Sequence, residues 1–353
     1  MLTAKRFAVM GVLGLACVLL LACSAIQPAP TGFVVPGAAW EEVSKEGMVF
    51  GEGVVADKAG MVYFSSMTRA LPPGPDNPGG TIFRFDPATR QTTKYLEPSG
   101  MSNGLHIDRN GDLLIAQDSG GGGKGGGRAI MRRKLATGAM SVVADRYQGK
   151  HFNGPNDLTG DGKGRVYFTD GRYGGPEPIE LPNAVYRVDP DGKVTQLSTD
   201  VLRPNGIEVS PDGKRLYVAA ANAKGLPANP IGPPADKFGI LLGGIVVYDL
   251  DSAGNISNGR LFFRNDALMV DGMTLDRQGN LYVAMHNGNP KGPVGAIVVL
   301  NPEGQVVENI PAPAGMTTNL GFGRGADSGS LYVTTAFPIR LHRIKTVRQG
   351  HYF

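Results

Sequence analysis

Gly160-Asp161-Gly162-Lys163-Gly164-Arg165-Val166-Tyr167-Phe168 joins a tight turn to an apolar strand, and the same unit recurs along the chain. Asp or Asn beside Gly supplies the positive-φ corner of a hairpin, and the Val/Leu/Tyr/Phe run after it has strand composition. Further copies centre on Asp57-Lys58-Ala59-Gly60, Asp108-Arg109-Asn110-Gly111, Pro211-Asp212-Gly213, Asp276-Arg277-Gln278-Gly279 and Asp327-Ser328-Gly329. A second hairpin follows most of them, as in Val185-Tyr186-Arg187-Val188-Asp189-Pro190-Asp191-Gly192. Two hairpins make a four-stranded antiparallel sheet, which is one propeller blade.

Each unit opens on a polar residue several positions before its turn: Glu52-Gly53, Asn103-Gly104, Asn156-Asp157, Asn205-Gly206, Asp271-Gly272 and Asn319-Leu320. The openings lie 51, 53, 49, 66 and 48 residues apart. Blades of about 40–50 residues are typical of propellers. The expected fold is therefore all-β: a six-bladed β-propeller of four-stranded antiparallel blades, one domain over residues 40–353. A β-sandwich has no reason to repeat at a fixed period. The long fourth interval holds the Pro/Gly-rich segment Ala223–Gly244, read as a rim loop.

The N-terminus differs from the rest. Lys5 and Arg6 precede an apolar run from Phe7 to Ala22, too short for a spanning helix of about 20 residues. A basic start and a short apolar core read as an export signal. It ends in Leu20-Leu21-Ala22-Cys23-Ser24, which resembles a bacterial lipobox. The expected layout is a signal with lipobox over 1–23, a tether over 24–39, and a lipid-anchored protein of the cell envelope. Its membrane contact would run through the lipid on Cys23 alone. With Cys17 removed and Cys23 acylated, no free thiol or disulfide remains, and stability must come from packing. Without Lys5 and Arg6 the chain has 33 basic and 31 acidic residues, a net charge of +2. No Lys/Arg run is clustered, which excludes a nucleic-acid footprint.

In a propeller the first strand of each blade lines the central channel, so the six openings place Glu, Asn, Asn, Asn, Asp and Asn around one axis. Asn and Asp are depleted in strands, and turn formation does not account for Glu52. Two carboxylates and several amide carbonyls make an oxygen shell for one hard divalent cation, Ca²⁺ first, with Zn²⁺, Mg²⁺ and Mn²⁺ as alternatives. No His or Cys stands at an opening, against a dedicated zinc site.

Glu52-Gly53, Pro155-Asn156-Asp157, Pro204-Asn205-Gly206 and Asp271-Gly272-Met273, in this order, resemble the SMP-30/gluconolactonase/lactonase family. Tyr147–Leu158, Tyr167–Gly174 and Asn319–Gly323 are similar to bacterial gluconolactonases in their local text. The resemblance implies that Glu52, Asn156, Asn205 and Asp271 hold the metal. It implies that Asp271 also serves as base or nucleophile, and that Asn103 faces the substrate. Tyr173 and Asn319 are added as substrate contacts. Where similar gluconolactonases have a compact Glu-His-Gly-type sequence, this chain has Gln117-Asp118-Ser119, the glycine run Gly120–Gly127 and Arg128. That run lacks the Ser/Thr and helix of a phosphate loop and reads as a rim loop.

Histidine is weighed as a rival catalyst. Strand alternation puts His106 opposite Asn103, packed between blades. His286 ends a strand beside Asn287-Gly288, within reach of the rim, and no Gly-x-Ser-x-Gly elbow accompanies any histidine. The expected activity is metal-dependent opening of a small-molecule lactone such as gluconolactone. An ester or organophosphate hydrolase on the same scaffold, and a non-catalytic binding propeller, stay open as alternatives.

Overall fold

In the turn Asp161–Gly164, Asp161 Oδ1 accepts the amide hydrogens of Lys163 (2.9 Å) and Arg165 (3.1 Å). Gly164 takes φ 82°, and the Tyr167 hydroxyl donates to Asp161 Oδ2 at 3.1 Å. Tyr63 does the same to Asp57, and Tyr332 to Asp327. The aspartate thus closes its own turn and tethers the strand that follows. In this computed structural model the described residues are 32–353, apart from 46–49, 68–78, 120–125, 175–177, 223–236, 289–294, 314 and 337.

Six four-stranded antiparallel sheets form the blades of a β-propeller, as expected. The innermost strands are Gly51–Ala56, Ser102–Ile107, Pro155–Gly160, Pro204–Val209, Met269–Leu275 and Thr317–Phe322. Between each pair of neighbouring blades lies an apolar cluster, because successive strand residues face opposite sides of a sheet. Phe168 packs toward blade two with Phe152 and Leu114, while the adjacent Tyr167 packs toward blade four with Ile207 and Val218. The last cluster joins Tyr332 and Leu341 of blade six to Val54, Phe64 and Phe85 of blade one. The ring is closed.

Closure also uses the backbone. The outermost strand of blade six is Glu41–Ser44 from the opposite end of the chain, paired with Ile339–Lys345. Arg343 grips Glu41 with both Nη2 (2.6 Å) and Nε (3.1 Å). Within the expected tether, Phe33 is buried against Tyr282 and the Val35 amide donates to the Lys345 carbonyl, so this part is docked on the propeller. Residues 1–31, with the expected signal, Cys23 and most of the tether, lie outside the described residues. So do 120–125 of the glycine run and 223–236 of the Ala223–Gly244 insertion. The described end of that insertion is anchored: Asn222 Nδ2 donates to the Ile240 carbonyl at 2.7 Å, and Ile240 joins the core between blades three and four.

The other end of the chain crosses the floor of the channel. Gly350 bridges Asp276, the His351 amide donates to the Leu275 carbonyl, and the Tyr352 hydroxyl donates to the Phe322 carbonyl at 2.6 Å. The Arg324 guanidinium stacks over the Tyr352 ring at 3.5 Å.

Candidate functional site

Every innermost strand carries an irregularity in register at its polar opening, between Gly51 and Val54, Ser102 and Leu105, Pro155 and Leu158, Pro204 and Ile207, Val270 and Met273, and Thr317 and Asn319. An extra residue there bends the strand and re-aims side chains. Glu52, Asn103, Asn156, Asn205 and Asp271 all hold the first bulge position, so the structure places five of the expected residues at one level. All five are buried, Glu52 and Asp271 at 4% and 6% exposure.

Register corrects the sixth opening. Thr318 holds the position equivalent to Glu52, with Oγ1 donating to the Gly51 carbonyl at 2.6 Å, and Asn319 lies one place further along. That second place belongs to Gly53, Gly104, Gly206 and Gly272 in four blades, and to Asp157 in blade three. Asp157 and Asn319 come from opposite blades and meet over the axis, Asn319 Nδ2 to Asp157 Oδ2 at 3.5 Å. Gly104 makes room for this arrangement: a Cβ there would stand 2.2 Å from Asp157 Oδ1.

Below this crossbar is a cavity of about 50 Å³, lined above by Asp157 and Asn319 and below by His351, Tyr352 and Phe353. Its walls include His106, Thr159 and Glu208. His106 packs between blades as expected, with Nε2 against Gly160 of blade three, and it also reaches this cavity. Past the bulge, Leu105 and Ile107 face blade one and His106 faces blade three. Burial pulls its pKa down to about 4, so it is neutral.

Acid accumulates along the axis. Burial, reinforced by the nearby charge of Asp271, pushes Asp157 up to about 7. Burial and then the charge of Asp157 push Glu208 up to about 8, although Thr159 Oγ1 donates to it at 3.1 Å. Sequence reading missed both as channel carboxylates. The signal was present for Asp157, which stands where four other blades have glycine. Glu208 became visible only with the bulge.

The metal expectation can be tested on the donors themselves. Among the described residues no cluster of three or more His, Cys, Asp and Glu forms a metal-binding group. The expected set is instead two carboxylates and two amides, all oxygen donors, which suits a hard cation. The buried Nδ2 of Asn103 has no hydrogen-bond partner, an orphan beside the ring that a polar ligand could satisfy. Charge and donor type fit a divalent cation held by Glu52, Asn156, Asn205 and Asp271.

Two neighbours were placed only by the fold. His286 Nε2 lies 2.9 Å from Asp271 Oδ2, and His286 Nδ1 accepts the Gly288 amide hydrogen at 3.0 Å. Tyr173 donates its hydroxyl to the carbonyls of Arg203 (3.3 Å) and Pro204 (3.4 Å), the residues leading into Asn205. At the end of the strand Val166–Asp170 of blade three, Asp170 accepts the amides of Asn153 and Gly154 at 2.9 and 2.7 Å and shapes the approach to Asn156.

Comparison with known proteins agrees with this architecture. Residues 123–337 match the SMP-30/Gluconolactonase/LRE-like region. A gluconolactonase of Zymomonas mobilis is 32% identical over 269 residues, 72% of this chain; the chain spans 65% of that relative's length. A pentonolactonase of Haloferax volcanii is 27% identical over 264 residues, 74% of this chain and 76% of the relative. Among solved structures, regucalcin of Agrobacterium tumefaciens, a calcium-binding protein, superposes with a TM-score of 0.64 at 20% identity, covering 90% of this chain and 98% of that one. The six-bladed ring, the ordered Glu52, Asn156, Asn205 and Asp271, and the match over most of the chain lead to one conclusion: the chain belongs to the SMP-30/gluconolactonase/LRE-like family.

Proposed function

We propose that this protein hydrolyses a small-molecule lactone, a sugar lactone first, at the channel mouth. The observation that carries the reading is the bulge ring, which commits Glu52, Asn103, Asn156, Asn205 and Asp271 to one buried level in a chain related to gluconolactonases. Glu52, Asn156, Asn205 and Asp271 would hold one divalent cation, Ca²⁺ by donor type. Bound there, the cation supplies a Lewis acid for the lactone carbonyl oxygen.

The chain's own residues do the rest. Asp271 takes a proton from the water whose oxygen bonds to the lactone carbonyl carbon, the acyl–oxygen bond breaks, and the proton passes to the departing alkoxide. If Asp271 attacks directly, water then cleaves the acyl–Asp271 anhydride and restores the carboxylate. The Asn103 amide, with its unsatisfied Nδ2, donates to a substrate oxygen. Tyr173, its hydroxyl committed to the Arg203 and Pro204 carbonyls, fixes the strand that carries Asn205. The Asp157–Asn319 crossbar and the C-terminal segment beneath it narrow the channel on one side of the site, which would limit water entry from that side. Export through residues 1–23 and lipidation at Cys23 belong to the same proposal and would place the reaction in the cell envelope.

The test is hydrolysis of a panel of lactones, esters and phosphotriesters by metal-loaded and chelator-treated protein. Lactone turnover is expected only with metal, and Asp271→Asn should lower kcat about 10²–10⁴-fold while the fold is retained. Turnover that survives chelation, or no turnover of any lactone with added Ca²⁺, defeats the reading.

A further inference from the structure

We infer that His286 is a positioning residue for Asp271, acting as a neutral hydrogen-bond donor whose tautomer is selected by a backbone amide. His286 ends the strand Leu281–His286 and faces Met269, two residues before Asp271. Its ring is 7% exposed and touches two groups: Nδ1 accepts the Gly288 N–H at 3.0 Å, and Nε2 lies 2.9 Å from Asp271 Oδ2. An amide N–H can donate only to a bare ring nitrogen, so Nδ1 carries no proton. The ring's remaining hydrogen is then on Nε2, aimed at the carboxylate.

Two consequences follow from that assignment. Asp271 Oδ2 is occupied as an acceptor, which holds the carboxylate plane and leaves Oδ1 for the channel. A doubly protonated ring would set Nδ1–H against the Gly288 N–H, so the geometry favours a neutral donor. A neutral donor orients Asp271 without cancelling the negative charge that a cation or an incoming proton requires. The Asn287-Gly288 turn therefore sets the tautomer, and the tautomer sets the working oxygen.

This inference rests on the proposed role of Asp271 as ligand and base, and the experiment separates the two. Ca²⁺ affinity by titration calorimetry and lactone kinetics are compared for wild type, His286→Phe and His286→Gln. His286→Phe should weaken Ca²⁺ binding and lower kcat by about 10- to 100-fold each, with KM changed far less. His286→Gln, whose amide can still donate to Asp271, should recover most of both. Equal losses in both variants, or unchanged Ca²⁺ affinity in His286→Phe, would show that only ring packing matters and overturn the inference. Imidazole ¹⁵N spectra of the wild type give a readout free of metal and substrate: a protonated Nε2 and bare Nδ1 are expected, and the opposite tautomer overturns the assignment. A wild type that binds Ca²⁺ but opens no lactone removes the lactonase reading alone, and the affinity comparison still decides the role of His286. A wild type that binds no divalent cation removes both.

Discussion

Glu208 shows how one side chain records the interior of the ring. It sits below the crossbar, faced by Thr159, with Asp157 and Tyr352 close enough to feel its charge, and it keeps its proton when folded up to about pH 8. Unfolded, it would release that proton near the ordinary value of 4.5. Between those limits the folded state binds more protons than the unfolded one, so Glu208 supports stability at low pH and withdraws that support as pH rises. Glu208→Gln should therefore match wild type in melting temperature near pH 5 and exceed it above pH 8, by about 2–4 °C for each kcal/mol relieved. Thermal melts across this range check it, and parallel curves for the two proteins would remove the burial argument. Asp170, pushed up to about 7 by burial, leaves a slope of the same sign in both proteins between its ordinary value and about pH 7.

At the scale of the element, the bulge is the device that makes a strand into a ligand holder. The close approach at the second bulge position is visible at Gly104, where an added Cβ would also stand 2.9 Å from the Asn156 carbonyl. Gly104→Ala should force the innermost strands of blades two and three apart. We expect a loss of about 1–3 kcal/mol in denaturant unfolding together with weaker Ca²⁺ binding, since Asn103 and Asn156 flank the contact. Unchanged stability and affinity would mean that these strands yield easily and that the ring geometry is not set by their contact.

For the whole molecule, closure joins the two ends of the chain. Glu41–Ser44 completes blade six, and the Phe33 segment packs beside it. The ion pairs there are partly exposed, so Glu41→Ala should cost no more than about 1 kcal/mol. Removal of residues 33–44 exposes the edge of Ile339–Lys345 and uncovers Tyr282, and should lower the melting temperature by well over the few degrees expected for Glu41→Ala, with aggregation from the free edge. Equal melting temperatures for the two variants would show that the interblade clusters alone hold the ring.

The repeat, the turn chemistry and the polar openings were legible because each is local: an Asp that closes its own turn, a Gly at its corner, a strand of alternating apolar residues. Those features determined six blades around one axis and marked six polar openings, among which the family resemblance singled out Glu52, Asn156, Asn205 and Asp271, with Asn103 beside them. Only the tertiary structure decided which residue of blade six joins the ring, that Glu208 lies beneath the crossbar, and that His286 meets Asp271. It also decided that Glu41–Ser44 belongs to the last blade and that Gly350–Phe353 floors the channel. The physical reason is common to all of these. A bulge changes the face of every residue after it, and pairings between distant segments depend on how the ring closes, information that no short stretch of chain contains.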